Sequence, residues 1–350
     1  MKRAFIAIGA TVGLFVLVQL GSLALVEPFM DAGYQAVEDP SDPTNSVLYI
    51  GAILVATAVM LAAMKFGVDR LLQGLIIFAA VFLSFYVFTV IIPSVITVAG
   101  LNVLAVGAAL ALGIGLLVYP EWYVIDAAGV LMGAGAAGLF GISFGLLPAL
   151  VLLVVLAVYD AISVYGTEHM LTLASGVMDL RLPVILVVPL TLSYSFLEET
   201  GPETLDGDGA SESGEDASEE GESEVTNEDA SDETTETEPE AEQPEAFERD
   251  AFFIGLGDAV IPTILVASAA FFRPGNAQLL DVPMIALTVP ALGAMVGTIA
   301  GLLVLLWMVM KGRAHAGLPL LNTGAIAGYL LGAMAVGITV VEAIGLGPYL

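Results

Sequence analysis

The sequence predicts an all-α, polytopic membrane protein with nine transmembrane helices, and two observations support that fold class. First, 58% of the 350 residues are hydrophobic and only 13% are charged, whereas about a quarter of the residues in a soluble domain carry charge. Second, the apolar residues occur in runs of about 18 or more, the length that crosses a bilayer as a helix. These two features exclude a water-soluble globular fold for most of the chain.

The apolar runs give nine predicted spans. The first follows Met1-Lys2-Arg3 and extends from about 4 to 26. A secretory signal peptide also begins with basic residues, but its apolar core is shorter, so we expect a retained helix. The boundary between the third and fourth spans depends on Pro93 and Ser94. The eight later predicted spans are residues 47–65, 71–93, 95–118, 123–143, 144–166, 251–272, 283–310 and 318–341.

Basic residues set the expected orientation, because cytoplasmic loops carry an excess of Lys and Arg. With nine crossings and a cytoplasmic N-terminus, only Arg273 of the nine basic residues falls outside. We therefore expect the C-terminus outside and the loop between spans six and seven in the cytoplasm. The basic residues on the cytoplasmic side are Lys2, Arg3, Lys65, Arg70, Arg181, Arg249, Lys311 and Arg313.

The loop between spans six and seven contains most of the negative charge. Of the 37 acidic residues, 23 lie between Glu198 and Asp250, and the net charge of the chain is −28. This segment has too few large apolar residues to offset its conformational entropy, so we predict a disordered acidic linker, with binding of a partner as the alternative. An acid excess of this size is also typical of proteins from organisms that live in high salt.

Three regions follow from this arrangement. Residues 1–180 are predicted to form a six-helix membrane half, residues 181–250 a cytoplasmic loop that is acidic and disordered from about 198, and residues 251–350 a three-helix half. The sequence has no cysteine and only two histidines, which excludes disulfides and thiol catalysis and offers no metal-binding constellation.

Two acidic residues lie well inside predicted spans, away from the span ends. A carboxylate in the hydrocarbon region is costly, so it indicates a functional site. Asp160 in span six and Asp258 in span seven are each expected roughly two turns from the cytoplasmic end of the span, whereas Asp126 and Glu342 are expected near span ends, within reach of the headgroups. Two carboxylates at one depth in a low dielectric tend to share a proton, which is the state that an aspartic protease needs.

Depth alone leaves other interpretations open. Each aspartate could form a hydrogen bond to a neighbouring helix, or the pair could form a proton or cation relay in a transporter or ion-conducting membrane protein. A non-catalytic membrane scaffold is a further alternative. The segment Leu182-Pro183-Val184-Ile185-Leu186-Val187-Val188-Pro189 is too short to span and rich in β-branched residues. It could pair as a strand with an unwound substrate, with an interfacial helix or a loop as alternatives.

The two aspartates stand in short motifs, Tyr159-Asp160 and Gly255-Leu256-Gly257-Asp258. These motifs resemble the presenilin and signal peptide peptidase family of intramembrane aspartyl proteases, which pairs a Tyr-Asp motif on its sixth span with a Gly-x-Gly-Asp motif on its seventh. Val164-Tyr165-Gly166-Thr167 followed by Met170 is similar to the signal peptide peptidase version of the helix end. Together with the acid excess, the resemblance indicates an archaeal homologue from a halophile.

The third motif of the family is Pro-Ala-Leu at the start of the ninth span, and here the sequence departs from it. Ala316-Gly317-Leu318-Pro319-Leu320 stands at that place, whereas a literal Pro290-Ala291-Leu292 lies within span eight and is interpreted as coincidental. The resemblance implies that Asp160 and Asp258 are catalytic. It implies substrate-binding positions at Tyr159, Gly255, Leu256, Gly257, Leu318, Pro319 and Leu320.

Several glycines have expected packing roles. Gly255 precedes Asp258 by three residues and is expected on the same helix face, where it would let a substrate or span six approach closely. Glycines four residues apart let membrane helices pack closely. Such glycines occur in span eight and span nine, at Gly293, Gly297, Gly301, Gly324, Gly328 and Gly332.

The sequence as a whole predicts a multi-pass protease of the cell membrane. It would hydrolyse peptide bonds in the transmembrane segments of single-span proteins or in remnant signal peptides. Asp160 and Asp258 would activate water as an acid and base pair, with no cofactor, no metal and no nucleic-acid partner. The lipid bilayer and transmembrane substrates are the expected partners.

Overall fold

The structure is a computed structural model that describes residues 2–66, 68–166, 184–190, 195, 251–311 and 316–346. The predicted acidic linker between 198 and 250 lies outside the described residues. So do Thr167 and Met170 of the family resemblance, and the basic residues Arg181, Arg249 and Arg313.

The described chain is mainly helical. Its α-helices are α1 (Lys2–Asp31), α2 (Thr44–Lys65), α3 (Asp69–Ile91), α4 (Val103–Val118), α5 (Trp122–Ser143), α6 (Leu146–Gly166), α7 (Leu256–Phe272), α8 (Val289–Val309), α9 (Gly317–Ala335) and α10 (Val340–Ala343). Two antiparallel pairs of strands accompany them, β1 (Thr97–Val98) with β2 (Leu101–Asn102), and β3 (Ile185–Pro189) with β4 (Ala251–Gly255).

Each predicted span contains an apolar helix, but the helices differ in length. Seven of those in the described chain are long and apolar enough to cross a membrane, while α4 and α7 are shorter apolar helices. Hydropathy therefore identified the membrane class and the helical fold correctly. The count of nine crossings and the orientation of the termini stay predictions.

The fourth predicted span begins later than expected because a β-hairpin precedes it. Thr97 pairs with Asn102 and Val98 with Leu101, and the two turn residues, Ala99 and Gly100, both have positive φ, as a tight hairpin turn requires. Asn102 then caps α4, since its side chain accepts hydrogen bonds from the backbone N–H groups of the next turn. The helix that remains has 16 residues.

The seventh predicted span also begins later than expected. Residues 251–255 form strand β4, and α7 starts at Leu256. An apolar run cannot by itself distinguish a strand from a helix, and the aromatic and β-branched residues Phe252, Phe253 and Ile254 favour the extended form. The prediction that Gly255 shares a helix face with Asp258 was therefore wrong, because Gly255 is the last residue of β4.

Small residues bring the helices of the bundle into close contact. The predicted role of the glycines in α8 and α9 is confirmed, since a Cβ added at Gly293 or Gly297 would collide with the backbone at Gly328 or Gly324. The helix α5 uses the same device, with Gly141 against Ala267 of α7. In α5 most of the side chains are buried, whereas α2 is almost entirely exposed, so α5 lies near the centre of the bundle.

Candidate active site

The two predicted catalytic aspartates come from different elements and meet at one end of the bundle. Asp160 lies on α6 with 6% of its surface exposed, six residues before the last described residue of that helix. Asp258 is half-buried in the first turn of α7. The two carboxyl groups lie beside consecutive residues at the start of α9, Asp258 beside Gly317 and Asp160 beside Leu318. The prediction that Asp258 lies two helical turns from the cytoplasmic end was wrong, because β4 replaces the expected helical turns.

The N-terminus of α9 lies against both aspartates. The backbone N–H of Leu318 donates a hydrogen bond of 3.1 Å to Oδ2 of Asp160. A Cβ added at Gly317 would lie 3.0 Å from Oδ2 and 3.3 Å from Cγ of Asp258. The segment that begins at Ala316 thus occupies the position at which the sequence placed the third motif.

Glycine at position 317 has a steric reason. A contact of 3.0 Å is tighter than nine in ten real Cβ contacts, so with any side chain here the Asp258 carboxyl group or α9 would have to move by a few tenths of an ångström. Gly317 is also the first residue of α9, and without a side chain its backbone comes very close to the acid.

Two helix N-termini point into the site. Asp258 stands in the first turn of its own helix, and Asp160 accepts its hydrogen bond from the first turn of α9. Free N–H groups and the helix dipole give each N-terminus a partial positive charge. The site can therefore stabilise negative charge without a Lys or Arg side chain.

Tyr165 is a site residue to which sequence reasoning assigned no role. Its hydroxyl oxygen accepts a hydrogen bond of 3.4 Å from the backbone N–H of Ala316, at the start of α9. Tyr165 is five residues after Asp160 on α6, so one helix positions the start of α9 at two points. The family resemblance quoted Tyr165, but spacing alone gave no sign of this bond.

The residues predicted to bind substrate occupy different environments. Tyr159 is 42% exposed, and Gly255 and Gly257 are exposed beside Asp258. Leu318, Pro319 and Leu320 are half-buried at the start of α9. Leu256 is buried, and its Cδ1 lies 3.1 Å from where a Cβ at Gly133 of α5 would be, so its side chain packs inside the bundle.

The strands β3 and β4 lead directly into the site. Their register pairs Ile185 with Gly255 and Pro189 with Ala251. The pairing continues into α7, since the backbone N–H of Leu256 donates a hydrogen bond of 2.8 Å to the carbonyl oxygen of Val184. The part of the 182–189 segment that the structure describes is thus a strand, and the first turn of α7 is attached to it.

The literal Pro290-Ala291-Leu292 lies far from the aspartates. It forms the first turn of α8 after the cap residue Thr288, whose hydroxyl donates a hydrogen bond to the carbonyl oxygen of Ala269. Ala269 is eleven residues beyond Asp258 on α7, or about 16 Å along the helix. The interpretation of this tripeptide as coincidental agrees with its position.

Asp126 was expected to reach the headgroups from a span end, and this expectation was wrong. Only 7% of its surface is exposed, and its Oδ1 accepts a hydrogen bond of 2.7 Å from the backbone N–H of Val187 in β3. An acidic residue in this apolar run was visible in the sequence, because Asp126 is the fifth residue of α5. Hydropathy could not reveal its partner, which is 61 residues away along the chain.

Asn322 is a second buried polar residue that sequence reasoning missed. Its Nδ2 donates a hydrogen bond of 2.8 Å to the carbonyl oxygen of Leu153, which joins α9 to α6 one turn beyond Leu318. In the part of the chain that the structure describes, no donor reaches its buried Oδ1.

A family model and solved structures show which known proteins this chain is similar to. The family model described as signal-peptide peptidase, presenilin aspartyl protease matches residues 12–338. No curated protein matches the chain significantly.

Two similar crystal structures are each described as a presenilin family intramembrane aspartate protease. The first, in space group C222, is 33% identical with a TM-score of 0.60, and the match covers 94% of this chain and 99% of that chain. The second, in space group P2, is 33% identical with a TM-score of 0.58, and the match covers 93% of this chain and 97% of that chain.

Proposed function

Since this chain belongs to the signal peptide peptidase and presenilin family of aspartyl proteases, we propose that Asp160 and Asp258 form its catalytic dyad. The chain is a multi-pass membrane protein and an aspartic endopeptidase that acts within the membrane. The observation that supports this dyad most strongly is that the N-terminus of α9 lies beside both carboxyl groups: the Leu318 N–H bonds to Asp160, and a Cβ at Gly317 would come within 3.0 Å of the Asp258 carboxyl group.

The proposed reaction uses the two acids in opposite protonation states. One carboxylate takes a proton from a water molecule, which attacks the carbonyl carbon of the scissile peptide bond. The other carboxylic acid donates its proton to the carbonyl oxygen. When the tetrahedral intermediate collapses, the C–N bond breaks and the leaving nitrogen receives a proton, so the two aspartates exchange roles during turnover.

The start of α9 has a positioning role in this mechanism. The Leu318 N–H fixes one oxygen of Asp160, which limits the rotation of that carboxyl group. The bare backbone at Gly317 leaves the Asp258 carboxyl group space beside α9. A dyad held in this way is preorganised, and orientation of reacting groups is a large part of enzymatic rate enhancement.

The proposed substrates are the transmembrane segments of single-span proteins and remnant signal peptides. A helical substrate hides its carbonyl groups in hydrogen bonds, so it must unwind before water can attack. The β3–β4 sheet supports a route for this step, because an unwound segment that joins the sheet as a strand would lie next to Asp258. Tyr159, Gly255, Gly257, Leu318, Pro319 and Leu320 are the proposed substrate-contacting positions, whereas the buried Leu256 packs against α5 and is not proposed as one.

The proposed topology has nine crossings with the N-terminus in the cytoplasm. Residues 1–180 and 251–350 form the two membrane halves in this proposal, and the loop of residues 181–250 lies in the cytoplasm between them. The dyad then lies nearer the cytoplasmic face, from which water enters.

Cleavage of a single-span substrate by purified protein tests this function. A fluorescent test substrate is incubated with the full chain in detergent and high salt, with and without a hydroxyl-containing inhibitor that mimics the tetrahedral intermediate. We expect a cut within the substrate's transmembrane segment, located by mass spectrometry and blocked by the inhibitor. Cleavage that the inhibitor does not affect, or that falls outside the membrane segment, would contradict the proposal.

A further inference from the structure

Asp126 is a buried acid that the proposed reaction does not use. It lies on α5 with 7% of its surface exposed, among apolar residues of a candidate membrane span. Burial of a carboxylate in such a place is costly, so an ionisable residue there indicates a functional role with a specific partner. Its partner is the backbone N–H of Val187, at 2.7 Å.

The hydrogen bond of Asp126 occupies one edge of β3. Leu256 bonds to Val184, and in an antiparallel pair the residues that bond to the partner strand alternate with those that point away. The N–H of Val187 therefore points away from β4 and towards α5. Asp126 accepts a hydrogen bond from that N–H, as a carbonyl oxygen of a neighbouring strand would. β3 therefore has β4 on one edge and the Asp126 carboxylate of α5 on the other.

A continuous series of contacts connects Asp126 to the catalytic site. β3 pairs along all five residues with β4, and β4 runs without a break into the first turn of α7, which contains Asp258. The helix α5 contacts that turn again two turns after Asp126, where Gly133 leaves space for Leu256. Residues seven apart lie on one face of a helix, so a single face of α5 supports both β3 and the start of α7.

The start of α5 also binds a second point of the chain between α6 and β4. The hydroxyl of Ser195 donates a hydrogen bond of 2.6 Å to Oε1 of Glu121, the residue that precedes α5. Glu121 is itself 5% exposed. Two buried acids at the start of α5 thus bind the chain after the sixth helix at two points, Val187 and Ser195, which are eight residues apart.

We propose that Asp126 is a positioning residue of the protease site, which fixes β3 on α5 and thereby places the first turn of α7 and Asp258. The inference rests on the proposed function of the dyad. Asp126 does not touch the reacting atoms in this account. It acts through the β3–β4 sheet. Its loss should therefore lower the rate of the chemical step even in a protein whose helical bundle is still folded.

Three substitutions at Asp126 and one elsewhere test the proposal. Asp126→Ala removes the acceptor. Asp126→Asn keeps an acceptor oxygen on a side chain of the same length, and Asp126→Glu displaces the carboxylate by one methylene. The matched control is Ser268→Ala, which removes a buried hydrogen bond of 2.8 Å between α7 and the carbonyl oxygen of Phe144, ten residues beyond Asp258. Each protein is purified as the full chain and assayed with the single-span substrate.

We expect kcat to fall about tenfold or more in Asp126→Ala, because small displacements of catalytic groups have large effects on rate. Asp126→Asn should restore most of the rate, and Asp126→Glu should give an intermediate rate. Backbone hydrogen exchange in residues 184–190 should be faster in the Ala variant than in the Asn variant. Ser268→Ala should keep nearly the wild-type kcat, even if it lowers the melting temperature as much as Asp126→Ala does.

Specific results would overturn the inference. A folded Asp126→Ala protein with wild-type kcat would do so, and so would an Asn variant as slow as the Ala variant. If Asp126→Ala does not fold, the Glu variant decides, and wild-type kcat there overturns the proposal. Failure of the wild-type protein to cleave any single-span substrate would contradict the proposed function itself, which separates the two failures.

Discussion

Asp258 owes its position to the change from extended to helical backbone at Gly255. The sequence predicted that Asp160 and Asp258 would meet, because an acid is rare within a membrane span and the two stand on consecutive spans. The sequence could not predict whether the backbone that leads to each acid is helical or extended. Hydropathy predicts a single helix for the apolar run 251–272. The residues of β4 are extended instead because they pair with β3, which is distant in the sequence.

Asp126 and Tyr165 show a second limit at the scale of the residue. Both form hydrogen bonds with backbone N–H groups of distant segments. A backbone N–H leaves no signature in the identity of its residue, so the partner cannot be found by pattern. The acid within the span was visible in the sequence, but its role was not.

Substitution of Gly317 tests the close approach of α9 to the dyad. In Gly317→Ala the new methyl group would lie about 3 Å from the Asp258 carboxyl group, so either the carboxyl group or α9 must shift. We expect kcat to fall about tenfold or more, while the melting temperature changes little. The measurement is the initial rate of substrate cleavage at saturating substrate.

Gly107→Ala is the control for this substitution, because a Cβ at Gly107 of α4 meets no atom within 4 Å. Both changes add one methyl group at a glycine within a helix, but only one is beside the dyad. Equal rates for the two variants would contradict the proposed role of Gly317.

At the scale of the element, the pairing of α8 with α9 was predictable from glycine spacing. Glycines at intervals of four form a flat stripe on each helix, and the two stripes face each other in the structure. The hairpin of β1 and β2 and the sheet of β3 and β4 were harder to predict, because short apolar strands resemble pieces of a span. The segment around Val187 was predicted as a possible strand, but its partner β4 was not.

A bulky residue in the glycine stripe should separate α8 from α9. In Gly297→Val the side chain would collide with the backbone of Gly324, and overpacking of this kind costs about 1–3 kcal/mol. The helix α9 also carries Leu318, so we expect a lower melting temperature together with reduced cleavage. Thermal unfolding in detergent measures the first effect.

The matched control for the stripe is Gly9→Val on α1, where a Cβ meets no atom within 4 Å. This variant adds the same side chain to an apolar helix. If its melting temperature fell as far as that of Gly297→Val, the close packing of α8 on α9 would not explain the loss.

At the scale of the whole molecule, charge and catalytic geometry are separated along the chain. The segment 198–250 has 23 of the 37 acidic residues, whereas the contacts that build the site join α6, β3, β4, α7 and α9. Composition predicted this division, because apolar runs and acidic runs hardly overlap. The arrangement of the helices around α5 depends on side-chain packing and did not follow from composition.

Replacement of residues 198–250 by a Gly-Ser linker of equal length tests this division. We expect the rate of cleavage to stay within about twofold of wild type, because a flexible chain of the same length imposes a similar loop-closure cost. Mutual repulsion of the acids is screened by salt, so the linker variant should also lose less stability than wild type when salt is reduced. A rate more than tenfold lower would show that the acidic segment takes part in catalysis or substrate binding.

The central claim is that Asp160 and Asp258 act together as the catalytic dyad, and parallel cleavage assays of Asp160→Asn and Asp258→Asn test it most directly. Each variant keeps the size of the side chain, and its melting temperature confirms that it is folded. We expect cleavage of the single-span substrate by wild type and none above background by either variant. Cleavage that persists in either folded variant would contradict the claim.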